Sequence, residues 1–269
     1  MTSTCKAIFI TGGGSGIGRA TARHFAGRGW MVGLADVNEA GMAETAAMLP
    51  AGLSSCHKLD VRDRAAWDVA LGDFAAKTGG RIDILFNNAG IAAGGPIDVA
   101  KPDDIERLFD INLLGVFWGA QAALPYLKAA GPGAALINTS SAAGLYAGPG
   151  MSAYSATKFG VRAITESLDQ EWREHGIKVR AIMPGFIDTP LLMGTSSGSN
   201  RTIRESVQEA GLEFTPVERV AEAVWDAAHN AKRLFWPVGK TAKRLAFLSR
   251  WAPGLLRRGG LFGRDAASD

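Results

Sequence analysis

The feature that most constrains this chain is an apolar run, Ala7 to Thr11, that breaks directly into Thr11-Gly12-Gly13-Gly14-Ser15-Gly16-Ile17-Gly18 and then into a helical pattern. A strand ending on so many glycines makes a tight turn whose missing side chains let a pyrophosphate approach the backbone. The helix that follows offers free N–H groups and a partial positive charge at its N-terminus. The spacing is G-x-x-x-G-x-G, not the strict G-x-G-x-x-G, so the strand–turn–helix context carries the reading. It makes Gly12, Ser15, Gly16, Ile17 and Gly18 candidate nucleotide contacts. Asp36 closes the second apolar run, about 20 residues on, where a carboxylate accepts hydrogen bonds from adenosine ribose hydroxyls and repels a 2′-phosphate. Ser15, not a cation, precedes Gly16. Both features favour NAD over NADP.

Along the rest of the chain, short apolar runs alternate with longer helical patterns. Strands are predicted at Ala7 to Thr11, Met31 to Ala35, Ser54 to Lys58, Ile82 to Asn87, Ala134 to Thr139, Lys178 to Met183 and Leu234 to Pro237. Helices are predicted at Gly18 to Gly29, Glu39 to Leu49, Arg64 to Thr78, Pro102 to Leu127, Ser155 to Glu174 and Pro216 to Ala231. Right-handed crossovers wind such a series onto both faces of one sheet. The expected fold is therefore α/β: a Rossmann-type, doubly wound parallel sheet of about seven strands. It occupies residues 1–238 as a single domain, with a flap over 190–214 that contains the stretch GTSSGSN. A basic, partly amphipathic tail follows over 239–269, in which Leu245, Leu248 and Trp251 recur at three-residue intervals.

Composition excludes several classes. With 47% hydrophobic and 20% charged residues the chain is globular, and a net charge of +3 gives no case for nucleic acid. The N-terminal apolar run is too short for a signal peptide, and no run approaches the roughly 18 residues of a spanning helix. The two cysteines, Cys5 and Cys56, read as reduced thiols, which places the protein in the cytoplasm. No metal site is expected.

The chemistry is expected from a second cluster. Tyr154 and Lys158 lie four apart at the start of a helical stretch, so they project from one face. Upstream, the strand ending at Thr139 runs into Ser140 and Ser141, at the end of the sheet where open α/β folds bind ligands. A phenol with a pKa near 10 is a poor base at neutrality, and correcting this takes about 4 kcal/mol. An ammonium about 4 Å away supplies that much at an effective dielectric near 20.

Taken together, TGGGSGIG at 11–18, Asp36, Leu59-Asp60-Val61, Asn87-Asn88-Ala89-Gly90, Asn112, Ser141, Tyr154, Lys158 and Pro184-Gly185 followed by Thr189 resemble the short-chain dehydrogenase/reductase family in its compact, non-extended branch. The resemblance runs from about Lys6 to Ala231. It implies Tyr154 as the catalytic acid/base and Lys158 as the group that lowers its pKa and holds the nicotinamide ribose. It implies Ser141 as the residue that orients the substrate oxygen, and Asn112 as a local helix interruption holding a proton-relay water. It also implies adenine contacts from Asp60 and Val61, and a cofactor border from Asn88, Ala89 and Gly90, with Asn87 largely structural. Pro184, Gly185, Ile187 and Thr189 would close over the nicotinamide. The activity implied is NAD-dependent interconversion of an alcohol and a ketone or aldehyde, by a homodimer or homotetramer.

The substrate wall is expected from Ala142 to Tyr146 (Ala143 and Tyr146 in particular), Gly148, Phe186 and the flap residues Leu191, Leu192 and Met193. The first segment carries no cation, so an apolar or aromatic secondary alcohol or ketone is preferred. For the tail, packing over the active-site mouth or on a partner subunit is favoured over peripheral contact with an anionic membrane. The alternative to an enzyme is a non-catalytic NAD-binding sensor or scaffold, against which the intact Ser141, Tyr154 and Lys158 argue. An epimerase or dehydratase would carry a different glycine spacing and a longer substrate domain, and an enoyl reductase a wider Tyr–Lys separation.

Overall fold

In β1 (Ala7–Thr11) side chains alternate across the strand, Ile8 and Ile10 to one side and Phe9 to the other, and all three are fully buried. A strand apolar on both faces must lie inside a sheet covered on both faces. A computed structural model, describing residues 5–194, 201–230 and 232–258, shows this arrangement. Among the described residues, β1, β2 (Met31–Asp36), β3 (Ser54–Lys58), β4 (Ile84–Asn87), β5 (Ala135–Thr139), β6 (Lys178–Pro184) and β9 (Phe235–Val238) form one parallel sheet in the order β3-β2-β1-β4-β5-β6-β9. The order reverses between β1 and β4, which opens a crevice at their carboxyl ends.

On one face α1 (Gly16–Ala26), α2 (Glu39–Ala47) and α8 (Val217–His229) pack around Ile8, Ile10, Phe25, Leu34, Met42 and Val224. On the other, α3 (Arg64–Lys77) and α5 (Gly115–Ala130) enclose Phe9, Trp67, Phe74, Leu85 and Ala123. Beside them α6 (Ser152–Glu171) seats Val161 and Ile164 against Val116.

The predicted strands are found within two residues of their expected bounds. The helix predicted over Pro102 to Leu127 is instead three pieces: α4 (Pro102–Phe109), a π-helical turn (Asp110–Leu114) and α5. The widened turn forms where Asn112, fully buried, turns its amide onto the backbone of Ile91. Helix α6 starts at Ser152, not Ser155, which puts Tyr154 in its first turn. Helix α1 starts at Gly16, two residues before its predicted start.

The flap is tied at both ends by a two-strand sheet of β7 (Phe186–Ile187) and β8 (Phe214–Thr215). Within it, α7 (Ile203–Glu209) opens on a capping box between Thr202 and Glu205, and Arg204 pairs with Asp188 at 2.9 Å. From residue 195 to 200 the GTSSGSN stretch lies outside the described residues.

The tail forms α9 (Lys240–Trp251) and α10 (Pro253–Arg258). Leu245 and Leu256 are buried against Ala142, with Leu145, Tyr146 and Leu248 around them. The expected Leu245–Leu248–Trp251 stripe does not hold as one face: Leu245 is buried, whereas Trp251 is 68% exposed. Steps of three residues fall about 60° short of a full turn each, so two steps carry the side chain off the packed face.

Candidate active site

The crevice between β1 and β4 widens into a cleft of about 1220 Å³ along the carboxyl ends of the central strands. That exceeds the roughly 300–1,000 Å³ usual for a single small ligand. The residues assigned above to cofactor or substrate line it, except Gly18 on the nucleotide side and Gly144, Leu145 and Met193 of the expected substrate wall. Of the catalytic set, Ser141, Tyr154 and Lys158 line it and Asn112 does not.

The glycine turn fits a bound pyrophosphate. Gly12 and Gly16 have φ of +67° and +48°, and a Cβ on Gly12 would stand 2.9 Å from Asn88 Nδ2. Ser15 sits at the N-cap of α1 without capping it through its side chain, which leaves the first-turn N–H groups to a ligand. Gly18 serves packing, since a Cβ there would lie 2.1 Å from the Gly12 carbonyl oxygen. Asp36 laces the neighbouring strand to this turn, accepting from the Gly14 N–H at 2.9 Å and the Asn38 N–H at 3.0 Å. Across the crevice, Asn88 donates from Nδ2 to the Thr11 carbonyl at 2.9 Å. The backbone N–H groups of Asn88 and Ala89 both reach the Thr11 hydroxyl at 3.0 Å. Asp60 is bound by Arg62 at 2.6 Å, and that hydrogen bond holds its carboxyl below the usual range. Asn87 is a structural residue: it is buried and donates to Val116 O and Asn138 Oδ1 at 3.2 and 3.1 Å.

On the other side of the cleft, β5 delivers Ser141 and the first two turns of α6 deliver Tyr154 and Lys158. Ser141 Oγ accepts from the Ala143 N–H at 3.1 Å and is hydrogen-bonded to the Tyr154 phenol. Lys158 is buried and donates from Nζ to the Thr139 carbonyl at 3.0 Å. Ser140 is occupied elsewhere, donating to the Lys158 carbonyl at 2.8 Å. Asn112 accepts from the Ile91 N–H and donates to the Ile91 carbonyl, both at 2.9 Å. A Cβ on Gly90 would meet Asn112 Oδ1 at 3.1 Å and Lys158 Nζ at 3.7 Å, so these three residues converge at one point.

Burial raises the Tyr154 phenol above its ordinary value despite the Ser141 hydrogen bond, and burial pushes Lys158 down to about 8. The ammonium lies over the ring, 5.6 Å from its centroid. Dehydration, which favours the neutral form of each group, is the largest cause of both shifts.

Beyond Ser141 the cleft is lined by Ala143, Tyr146, Phe186 and the buried Leu192, and by residues that the sequence reading did not assign to it. Thr241 and Leu245 of α9 form part of the wall, and Ile203 and Val207 of α7 another part. The Tyr146 hydroxyl donates to the Leu256 carbonyl at 3.1 Å, fastening α10 to the wall. The spacing of Ala242 and Leu245, three apart on the packed face of α9, was the signal available for the tail. Arg107 and Arg201 also reach the cleft, so it is not free of cations. Arg201 pairs with Glu209 at 2.6 Å.

A parallel sheet in this order, with a glycine turn after its first strand and a Ser–Tyr–Lys group at its carboxyl edge, is the build of a dinucleotide-dependent α/β oxidoreductase. The chain belongs to the short-chain dehydrogenase family: the family model described as short chain dehydrogenase matches residues 6–200, more than half of the chain. It is 42% identical over 189 residues to SadH of Mycobacterium tuberculosis, covering 68% of this chain and 67% of that one. It is 37% identical over 188 residues to L-2,3-butanediol dehydrogenase of Corynebacterium glutamicum, covering 68% and 72%. It is 34% identical over 225 residues to levodione reductase of Leifsonia aquatica, covering 82% and 84%. Among solved structures, one of levodione reductase superposes with a TM-score of 0.78 at 26% identity, covering 90% of this chain and 98% of that one. A short-chain dehydrogenase/reductase from Burkholderia phymatum in complex with NAD gives 0.79 at 25% identity, with 96% of each chain covered. Among the described residues no helix is long and apolar enough to cross a membrane.

Proposed function

We propose that the protein interconverts a secondary alcohol and its ketone with NAD(H), on an apolar or aromatic substrate. The observation that carries this reading is the single cleft in which the uncapped N-terminus of α1 and Asp36 face Ser141, Tyr154 and Lys158. The relatives' names add support, since a butanediol dehydrogenase and a levodione reductase act on alcohols and ketones.

In this reading Gly12, Ser15, Gly16 and Ile17 hold the pyrophosphate, and Asp36 holds the adenosine ribose. Asp60 and Val61 border the adenine, with Asn88, Ala89 and Gly90 alongside. Pro184, Gly185, Ile187 and Thr189 enclose the nicotinamide, which when bound supplies or accepts the hydride. Ser141 donates a hydrogen bond to the substrate oxygen. Tyr154 exchanges the proton on that oxygen, donating it in the reduction and taking it in the oxidation. Lys158, protonated below about pH 8, adds positive charge beside the phenol and reaches the nicotinamide ribose hydroxyls. Asn112 fixes the loop after β4 against which Lys158 lies. Ala143, Tyr146, Phe186 and Leu192, with Leu245, give the substrate an apolar wall.

NAD is preferred to NADP because the Asp36 carboxylate opposes a 2′-phosphate and the next residue, Val37, is apolar and exposed. A solved relative bound to NAD agrees with this. Exposed Leu114, Phe117 and Phe159 on and beside α5 and α6 fit the paired helices of a homodimer or homotetramer. Two unbridged cysteines fit the cytoplasm.

The test is nicotinamide absorbance with a panel of secondary alcohols, aromatic alcohols, sterols and matching ketones, run with NAD(H) and NADP(H). Turnover with NAD(H), lowered by about 10²–10⁴-fold in Tyr154→Phe while nucleotide binding persists, is the expected result. Turnover in Tyr154→Phe close to that of the wild type would defeat the assignment.

A further inference from the structure

Helix α9 has two faces, and the cleft uses one. Ala242 and Leu245 point inward and are buried, while Phe247 and Trp251, one turn apart on the opposite side, are 63% and 68% exposed. Leu255, on α10, is 61% exposed. From Gly239 to Arg258 the sequence carries Lys240, Lys243, Arg244, Arg250, Arg257 and Arg258 and no acidic residue. Lys243, Arg244 and Arg250 are exposed and form no salt bridge with any acid among the described residues. Arg250 stacks on the Trp251 ring at 5.4 Å from its centroid.

We propose that this outer face docks on an anionic lipid surface, with α9 lying in the plane of the headgroups. Aromatic side chains with cations at their flanks match a bilayer interface, where the rings sit at headgroup depth and the cations meet anionic lipid. The 12 residues of α9 span roughly 18 Å, enough to lie on a bilayer and too few to cross one. Charge also argues against the competing occupant, a second copy of this chain. A twofold contact through α9 sets a patch against itself, and here that brings like cations together. The proposal is independent of the reaction assigned to the cleft.

Co-sedimentation of the full chain with vesicles tests it, using phosphatidylcholine alone and phosphatidylcholine mixed with phosphatidylserine. Retention on the anionic vesicles at low salt is expected, with a fall near 0.5 M salt, where the screening length is roughly 4 Å. Each cation removed should weaken binding about fivefold, so Lys243→Gln with Arg244→Gln should weaken it about thirtyfold. Trp251→Glu should also reduce retention. All three side chains are exposed, so the thermal midpoint and nucleotide binding should stay as in the wild type and verify the fold. No retention at low salt, equal retention on both lipids, or unchanged retention in Trp251→Glu overturns the proposal. So does light scattering that shows a wild-type dimer split by Trp251→Glu, which would make a second copy the occupant. A protein that binds vesicles but turns over no substrate would support the proposal while removing the enzymatic reading.

Discussion

The Lys158 ammonium lies over the face of the Tyr154 ring, 5.6 Å from its centroid, and is held there by a 3.0 Å hydrogen bond to the Thr139 carbonyl. The arrangement keeps a cation beside a phenol in a place where burial disfavours the charged form of both. Burial raises the phenol and lowers the ammonium to about 8. A buried cation with no carboxylate partner among the described residues is a liability for folding and an asset for chemistry.

The first prediction follows from that conflict. A lysine moved from 10.5 to about 8 costs the folded protein about 3 kcal/mol below pH 8, where the ammonium stays charged in the fold. Lys158→Met removes this penalty and also loses the Thr139 hydrogen bond, worth about 1 kcal/mol. The variant should therefore be about 2 kcal/mol more stable at pH 7, and inactive. Between about pH 8 and 10.5 the folded wild type has lost the proton that the unfolded chain still binds, so wild-type stability rises with pH and the gap closes. Urea melts at pH 7 and pH 10 measure this. A gain of equal size at both values would refute burial as its cause.

The second concerns cofactor choice. Asp36 holds two backbone N–H groups as well as facing the cleft, so its charge should be removed without its oxygen. Asp36→Asn keeps an acceptor for the Gly14 N–H, and Val37→Arg adds a cation at a position already 62% exposed. Together they should move the ratio of kcat/KM for NAD over NADP by about 10–100-fold toward NADP, or about 1.4–2.7 kcal/mol. An unchanged ratio would mean that Asp36 does not meet the ribose.

The third tests the glycine turn as a backbone device. Gly18→Ala places a methyl 2.1 Å from the Gly12 carbonyl oxygen, a backbone atom that cannot swing aside. The helix must move off the turn, at a cost of about 1–3 kcal/mol. Nucleotide affinity should fall along with the melting temperature. Gly211, with open space around it, is the control: there Ala meets only the strain of a φ of +61° and should leave nucleotide affinity as it was.

The strands and the glycine turn after β1 were legible because each is written locally. Apolar runs bounded by turns mark buried strands, and a glycine cluster after a strand marks a close backbone approach. What escaped depends on distant partners. The break at Asn112, implied only by the family resemblance, arises because its amide finds Ile91, 21 residues away, a pairing that nothing in the run around it announces. The raised Tyr154 pKa follows from the packing of the whole cleft, whereas the spacing of Tyr154 and Lys158 reports only their nearness. Leu245 and Thr241 reach the site because Tyr146, 110 residues from Leu256, fastens α10 to the wall.

The fourth prediction takes up that wall. Leu245 is 6% exposed and packs between Ala142 and Leu256 while lining the cleft, so it joins the stability of the tail to the shape of the substrate space. Leu245→Ala should cost about 2 kcal/mol, the low end for a buried leucine, because the site is open on one side. It should also raise kcat/KM for a ketone with a bulky apolar substituent relative to a small one, by about tenfold. Nucleotide affinity should not change, since Leu245 stands among the residues of the substrate wall. Tyr146→Phe supplies the complementary measurement: it keeps the ring and releases the Leu256 carbonyl, so the tail loosens without new space being made. If the two variants shift selectivity alike, anchoring of the tail sets the substrate; if only Leu245→Ala does, the side chain itself is the determinant. A ratio unmoved by either would leave selectivity to Ala143, Phe186 and Leu192 with Ile203 and Val207 of α7, and reduce α9 to a cover.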